Sequence, residues 1–197
     1  MADLQLQPAK QPLAIFDHMV PQQTTTLVLK EMGDHFDVKT LNKGQLMNVK
    51  AKLSLHGRKK CYDAGGRHLF DIVRQGGVRL RPTFLLQGED KKQYMEVKRA
   101  WSWFGFKAKA TFTSARTNTP VTLLMKGRFR NKTKIVDEAS GALVGRIDKK
   151  LFKMREMALG QQTYHLTVAP GVDMALLVAM GICLDEMQNE GQNKAMF

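Results

Sequence analysis

The stretch from Met174 to Leu184 contains no charged residue and no side-chain amide, and its apolar side chains would cover every face of a helix. A helix that is apolar on all sides must be buried on all sides. At ~1.5 Å per residue the run spans only about half of a ~30 Å hydrocarbon core, so it is too short to cross a membrane. The sequence therefore predicts a helix enclosed by the rest of the protein.

The residues that flank this run predict how the helix begins and ends. Pro170 and Gly171 interrupt the preceding strand, and Asp173 is placed to cap the free amides of the first turn. Asp185 and Glu186 lie near the negative end of the helix dipole and are predicted to face solvent. The buried helix surface is assigned to Leu176, Leu177, Met180 and Leu184. The small residues Ala175, Ala179 and Gly181 are expected to let the surrounding backbone approach closely.

The chain before the helix has the pattern of antiparallel strands. Leu27 and Leu29, then Phe36 and Val38, alternate with polar residues at a period of two. Asp or Asn and then Gly separate apolar arms in FDVKTLNKGQLMNV, KKCYDAGGRHLFDI and KIVDEASGALVGRI, which predicts three hairpins. Two more are predicted to turn at 88–90 and 117–120, and a last strand at Thr163–Val168 leads into the helix. This pattern predicts a mainly β fold, a closed antiparallel barrel of about twelve strands around a central hydrophobic C-terminal helix.

The 197 residues are interpreted as one domain with two appendages. Residues 1–25 form an extended leader, rich in Gln and Pro and anchored by Leu13, Ile15 and Phe16; residues 26–187 form the barrel, and 188–197 a polar tail. The two cysteines are predicted to be reduced, and no signal or transmembrane segment is indicated. We therefore expect a monomeric cytoplasmic protein whose contact with membranes is peripheral.

The charge balance predicts an anionic partner. Lys and Arg number 31 against 18 acidic residues, a net charge of +13, which suits either nucleic acid or an anionic membrane surface. The sharpest pattern is KGRFRNKTK, in which cations occupy alternate positions: Lys126, Arg128, Arg130, Lys132 and Lys134. In an unbroken strand all five would share one face, whereas a turn near Asn131 would divide them between two adjacent strands. The same alternation occurs at Lys107 and Lys109 and at Arg79 and Arg81. A solvated outer face that keeps strands from pairing explains these patterns equally well.

The segment WSWFGFKAK interleaves aromatic residues with cations; the aromatics are Trp101, Trp103, Phe104 and Phe106. Such a pattern is found where bases of single-stranded nucleic acid stack on a strand, and also in loops that enter a lipid interface. The favoured interpretation is a hairpin whose aromatics pack against the barrel core.

Little in the sequence indicates catalysis. The five histidines are scattered without metal-ligand spacing, and no Gly-x-Ser-x-Gly elbow or phosphate-binding glycine loop is present. We therefore predict a protein that is not an enzyme and needs no cofactor or metal.

The segments YHLTVAPGVDMALLVAMGICLDE, IVDEASGALVGRIDKK and KKCYDAGGRHLFDIV resemble the LURP-one-related family of the tubby C-terminal-like superfamily, over roughly 26–187. The fungal branch is the expected source. The resemblance implies a twelve-stranded barrel around a central helix. The connection between Leu29 and Phe36 is shorter than expected for the family, so the first hairpin is expected to be trimmed or altered.

The resemblance implies the function of this protein only in general terms. Tubby proteins share the superfamily and bind phosphoinositides through basic residues, and plant LURP-one-related proteins are associated with defence. Phospholipid scramblases are also similar, but this chain has no proline-rich arm, cysteine cluster or acidic calcium loop. The leading hypothesis is a non-enzymatic binding module that recognises phosphoinositides or other anionic lipids through Lys126, Arg128, Arg130, Lys132, Lys134, Lys107 and Lys109. The alternatives are a nucleic-acid or transcription-associated protein that also uses the aromatics at 101–106, and a protein-interaction scaffold in stress or defence signalling.

Overall fold

A computed structural model describes residues 5–33, 35–52, 57–75, 82–102, 105–127, 132–149 and 163–193. The strands are β1 (Thr25–Met32), β2 (His35–Thr40), β3 (Gln45–Lys52), β4 (Arg58–Asp63), β5 (His68–Arg74), β6 (Thr83–Gln87), β7 (Gln93–Arg99), β8 (Phe106–Thr113), β9 (Pro120–Gly127), β10 (Lys132–Asp137), β11 (Leu143–Lys149) and β12 (Thr163–Val168). A short 3-10 helix covers Asp17–Met19, and the helix α1 covers Met174–Asn193.

The strands form one closed barrel in which each is antiparallel to its neighbours in sequence, and β1 pairs with β12 to close it. This confirms the predicted fold class. The hairpins predicted from Asp or Asn followed by Gly all form, because these residues supply the turn conformations locally. Gly33, directly after β1, has a φ of 62°, and the pairing of β1 with β2 runs without a break from Met32↔His35 to Leu27↔Thr40.

The two ends of the barrel differ and are named here for use below. The leader end contains the residues before β1, the entry to α1 and the turns 41–44, 64–67, 88–92, 114–119 and 138–142. The far end is the opposite one, at which β1 finishes and β2 begins. Because α1 follows β12 and runs back through the barrel, its N-terminus lies at the leader end.

Alternation along the strands places one set of apolar side chains against α1. Leu27, Leu29, Phe36 and Val38 are all buried, as their period of two predicts. From Ala175 to Leu184 every helix residue is buried except Gly181, which is half-buried, and the residues predicted for the buried surface, Leu176, Leu177, Met180 and Leu184, are at most 5% exposed. The apolar run therefore forms the core of the barrel.

Asp185 and Glu186 depart from the prediction. Asp185 is buried and accepts a hydrogen bond from the Tyr164 hydroxyl, while a Glu186 carboxylate oxygen lies 3.0 Å from the Lys59 ammonium nitrogen. The prediction that both residues face solvent is wrong for Asp185, and Glu186 is only partly exposed. A dipole argument treats the helix alone, whereas here the barrel wall supplies partners for both carboxylates.

The leader closes the barrel at the end where α1 enters. Leu13 is buried and pairs as a parallel bridge with Val172, and the Phe16 ring stacks on Phe70 with centroids 5.7 Å apart. Backbone bonds continue the contact, since the Leu13 amide donates to Gly171 and the Asp173 amide donates to Leu13. The predicted anchoring of the leader is confirmed.

Of the three small helix residues at which a close approach was predicted, Gly181 does not show one. A Cβ at Gly181 would lie 3.6 Å from Ile147 Cδ1 and 3.7 Å from Leu29 Cδ2, which are ordinary contact distances. A Cβ at Gly145 of β11 would lie only 2.7 Å from Leu177 Cδ1. The glycine that packing requires is thus on the barrel wall rather than on the helix.

Gly181→Ala is therefore expected to stabilise the protein by about 0.5–1 kcal/mol, because alanine favours a helix more than glycine does and the site has room for a methyl group. Urea unfolding of the variant beside the wild type measures this. A loss of stability would show that the wall is closer to the helix than these distances indicate.

Candidate anion-binding surface

Four cations lie side by side across four adjacent strands. Lys107 of β8 is directly opposite Lys126 of β9, Lys126 is opposite Lys134 of β10, and Lys134 is opposite Arg146 of β11. Their neighbours in sequence, Ala108, Met125, Ile135 and Ile147, are buried in the core. The four side chains therefore share the outer face of the barrel, and we call them the cationic row.

The cationic row is poorly neutralised. Lys126 and Lys134 are exposed and Lys107 is half-buried. Among the residues that the structure describes, no carboxylate lies within ion-pair distance of these three lysines. Arg146, the fourth cation, is paired, because its Nε lies 2.9 Å from an Asp148 oxygen. Like charges directly opposite each other on adjacent strands repel, so a bound anion would relieve the repulsion within the row.

Hydroxyl groups continue the row on the side of Arg146. Thr167 of β12 is opposite Arg146, Thr26 of β1 is opposite Thr167, and the two Thr Oγ1 atoms are 3.3 Å apart. Guanidinium and hydroxyl groups are suitable donors for phosphate oxygens. Sequence reasoning missed Arg146, because only the pairing of β10 with β11 shows that it lies beside Lys134.

The other cations predicted from the sequence do not belong to the cationic row. Of the two arrangements considered for KGRFRNKTK, the division of its cations between two adjacent strands is observed, since β9 ends at Gly127 and β10 begins at Lys132. Lys132 is exposed at the start of β10, opposite Asp148. Lys109 has Glu138 oxygens at 2.9 and 3.3 Å and is therefore neutralised. Arg79, Arg81, Arg128 and Arg130 lie outside the described residues.

Positive charge is concentrated in the strand residues nearest the far end of the barrel, to which α1 adds the carboxylates of Asp185 and Glu186. The three residues of each strand nearest that end contain only three acids, Glu31, Asp37 and Asp148. They contain twelve cations with described side chains: Lys30, Lys50, Arg58, Lys59, Lys60, Arg74, Lys98, Arg99, Lys107, Lys126, Lys132 and Lys134. The corresponding positions at the leader end hold only Lys39 against Asp63 and Asp137. We call the twelve residues the far-end cations.

The aromatic residues around the connection of β7 to β8 differ in burial. Phe106 is buried in the core, and its ring centroid lies 5.9 Å from the Arg99 guanidinium carbon. Trp101 is 60% exposed. Trp103 and Phe104 lie outside the described residues. The favoured packing against the core is therefore confirmed for Phe106 and wrong for Trp101.

The buried titratable groups have structural partners. Burial and the neighbouring Asp185 raise the pKa of the Tyr164 hydroxyl, which keeps it protonated as a donor to that carboxylate. Burial also raises the pKa of the Cys61 and Cys183 thiols, and both cysteines are free, as predicted. A protonated, buried thiol is a poor nucleophile. In the described part of the chain, no group of three His, Cys, Asp or Glu residues is placed to hold a metal ion.

Lys59 is an interior lysine that the sequence did not reveal. It shares the inner face of β4 with Cys61, is 7% exposed, and lies over the Phe36 ring at 5.7 Å from the centroid. Its ion pair with Glu186 joins the barrel wall to the last part of α1. Lys59 is thus a structural member of the far-end cations.

A closed antiparallel barrel of twelve strands with one C-terminal helix in its core defines the class of fold to which this chain belongs. The family model for LURP-one-related proteins matches residues 24–185, and the chain belongs to this family.

The fold is similar to that of a protein from Arabidopsis thaliana solved by X-ray crystallography, with a TM-score of 0.66. The two chains are 15% identical over 90% of this chain and 99% of the other, so the likeness concerns the fold. No curated protein matches the chain. None of the described helices has the length and apolar character needed to span a bilayer.

Proposed function

We propose that this protein is a non-enzymatic binding module that recognises anionic lipid headgroups, phosphoinositides in particular, through the cationic row. The observation that supports this most strongly is the set of three lysines placed opposite one another on β8, β9 and β10 without carboxylate partners among the described residues. Such an arrangement is unfavourable for the isolated barrel and becomes favourable when phosphate groups lie across it.

Membership of the LURP-one-related family and the barrel fold are compatible with a binding module. Headgroup phosphates offer several acceptors at a fixed spacing, which the lysines, Arg146 and the hydroxyls of Thr167 and Thr26 would meet with donors. Nucleic acid is the other polyanion that the charge would attract, and it is separated from lipid by the experiment below.

Replacing Lys107, Lys126 and Lys134 by Gln is expected to weaken binding to phosphoinositide-containing vesicles roughly a hundredfold. Each basic residue near an anionic membrane contributes about 1 kcal/mol, and three together contribute about 3 kcal/mol. Vesicle co-sedimentation at physiological salt measures the affinity, with a panel of phosphoinositide isomers, phosphatidylserine and single-stranded DNA as competitor.

The matched control replaces Lys43, Lys91 and Lys92 by Gln, which changes the net charge by the same amount at exposed turns of the leader end. Binding that prefers one isomer and is lost only in the first variant supports the proposal. Binding that follows total charge, weakens equally in both variants and is displaced by DNA would replace it with nucleic-acid binding. No binding to either polyanion would leave a protein-interaction scaffold.

A further inference from the structure

Asp148 lies beside the cationic row and neutralises one of its members. It shares the outer face of β11 with Arg146, since Ile147 between them is buried, and its Oδ2 accepts a hydrogen bond from Arg146 Nε at 2.9 Å. Both side chains are 26% exposed, so salt screens this ion pair less than a pair at the open surface. Without a ligand, the row therefore presents three lysines and one guanidinium that already has an anionic partner.

The ion pair is incomplete on the side of the carboxylate. Asp148 Oδ1 is buried, and among the described residues no donor lies within hydrogen-bond distance of it. A buried oxygen without a partner costs free energy, which is regained when the carboxylate turns outward to water. Lys132, directly opposite Asp148 on β10, is exposed and offers the carboxylate a second cation. Asp148 can therefore release Arg146 at little cost.

The charge of a ligand decides whether it gains by taking Arg146 from Asp148. A phosphodiester carries one negative charge, as the carboxylate does, so the exchange of one for the other gains little. A phosphomonoester carries a charge of about −1.5 to −2 at pH 7 and has three acceptor oxygens. Because Lys134 is directly opposite Arg146, with Cα atoms about 5 Å apart, one monoester group can accept charge-assisted hydrogen bonds from both side chains.

We infer that Asp148 makes the cationic row selective for phosphomonoester groups over phosphodiesters, because it withholds Arg146 from anions that carry too little charge to displace it. This inference rests on the proposed lipid recognition and adds the chemical class of the phosphate to it. The phosphates on the inositol ring of phosphoinositides are monoesters, whereas those of phosphatidylglycerol and of nucleic acid are diesters. Asp148 acts through Arg146 and is therefore a positioning residue.

The test compares Asp148→Asn and Arg146→Gln with the wild type at pH 7.4. Co-sedimentation measures binding to charge-matched vesicles of phosphatidylcholine that contain either a phosphatidylinositol bisphosphate or phosphatidylglycerol, and fluorescence anisotropy measures binding to single-stranded DNA. Both variants are expected to lower the preference for the bisphosphate over the diesters roughly fivefold, the contribution of one cation. Asp148→Asn does so by strengthening the binding of diesters, and Arg146→Gln by weakening that of the bisphosphate.

The control is Glu89→Gln, which removes one negative charge from a 77% exposed side chain at the leader end and is expected to leave the preference unchanged. A preference that stays the same or rises in Asp148→Asn overturns the inference, because removal of a negative charge alone favours the more highly charged ligand. A wild type that binds both kinds of vesicle equally well overturns it too. Absence of vesicle binding by the wild type overturns the proposed lipid recognition as well. Circular dichroism of each variant confirms that the barrel is folded in every comparison.

Discussion

Asp173→Ala is expected to lower the free energy of unfolding by about 3–5 kcal/mol, the largest loss that we expect from a single polar side chain of this protein. Oδ1 accepts the amides of Ala175 and Leu176 in the first turn of α1, at 2.8 and 3.4 Å. Oδ2 accepts the amides of Ile15 and Phe16 in the leader, at 3.1 and 2.7 Å. One carboxylate therefore caps the helix and ties the leader to it.

The loss is large because the site is closed to water. Asp173 is fully buried, so alanine would leave these backbone donors without an acceptor and without solvent to replace it. Asp173→Asn keeps one oxygen but points its amide group at two donors, and about half of the loss is expected. Arg116 Nε lies 2.6 Å from an Asp17 oxygen at the surface of the same leader, and Asp17→Ala serves as the control with an expected loss below about 1 kcal/mol.

The same carboxyl group is expected to make stability depend on pH. Burial raises the pKa of Asp173 to about 6, against the opposing effect of the four amides. The folded protein then binds a proton between about pH 4 and 6 that the unfolded chain has released, so this contribution falls as pH rises through that window and is constant above it. At ~1.4 kcal/mol per pH unit the change amounts to roughly 3 kcal/mol.

Urea unfolding at pH 5 and pH 7.5 measures both effects. The wild type is expected to lose more stability between the two pH values than Asp173→Asn, in which this group no longer titrates. Equal pH dependence in the two proteins would show that the carboxyl titrates normally. A loss for Asp173→Ala no larger than that for Asp17→Ala would show that the leader and the helix do not depend on this junction.

The first turn of α1 shows which contacts could be predicted from the sequence and which could not. That Asp173 caps α1 was predicted, because a cap depends on residues two and three positions away. Its bonds to Ile15 and Phe16 were not, because they join residues 158 and 157 positions apart. The hairpins were predictable for the same reason as the cap, since each turn carries its own Gly, Asn or Asp.

For the candidate site, too, the local pattern was predictable from the sequence and the contacts between strands were not. Alternation in the sequence placed Lys126 and Lys134 on an outer face, but nothing in it showed that the two lie opposite each other or that Lys107 and Arg146 flank them. The register, which decides which residues of adjacent strands lie opposite each other, is set when the strands pair in the closed barrel. The ion pair of Lys109 with Glu138 joins residues 29 positions apart, so local sequence patterns did not predict it either.

Leu177→Ala is expected to destabilise the protein by about 2–5 kcal/mol, since it removes a fully buried side chain from the centre of the barrel. The loss should shrink when Gly145 is also replaced. A Cβ at Gly145 would lie 2.7 Å from Leu177 Cδ1 and 3.3 Å from Ile135 Cδ1, so Gly145→Ala alone is expected to cost about 1–3 kcal/mol by overpacking.

In the double variant Leu177→Ala with Gly145→Ala, the new methyl group occupies part of the cavity that the leucine leaves. The double variant is therefore expected to be at least about 1 kcal/mol more stable than the sum of the two single losses predicts. Leu176→Ala combined with Gly145→Ala is the control, because Leu176 is equally buried but is not among the atoms nearest to Gly145. If both pairs are additive in urea unfolding, the fit of Leu177 over Gly145 does not determine how the helix sits in the barrel. If only the Leu177 pair couples, the glycine on the wall sets the depth and rotation of the helix.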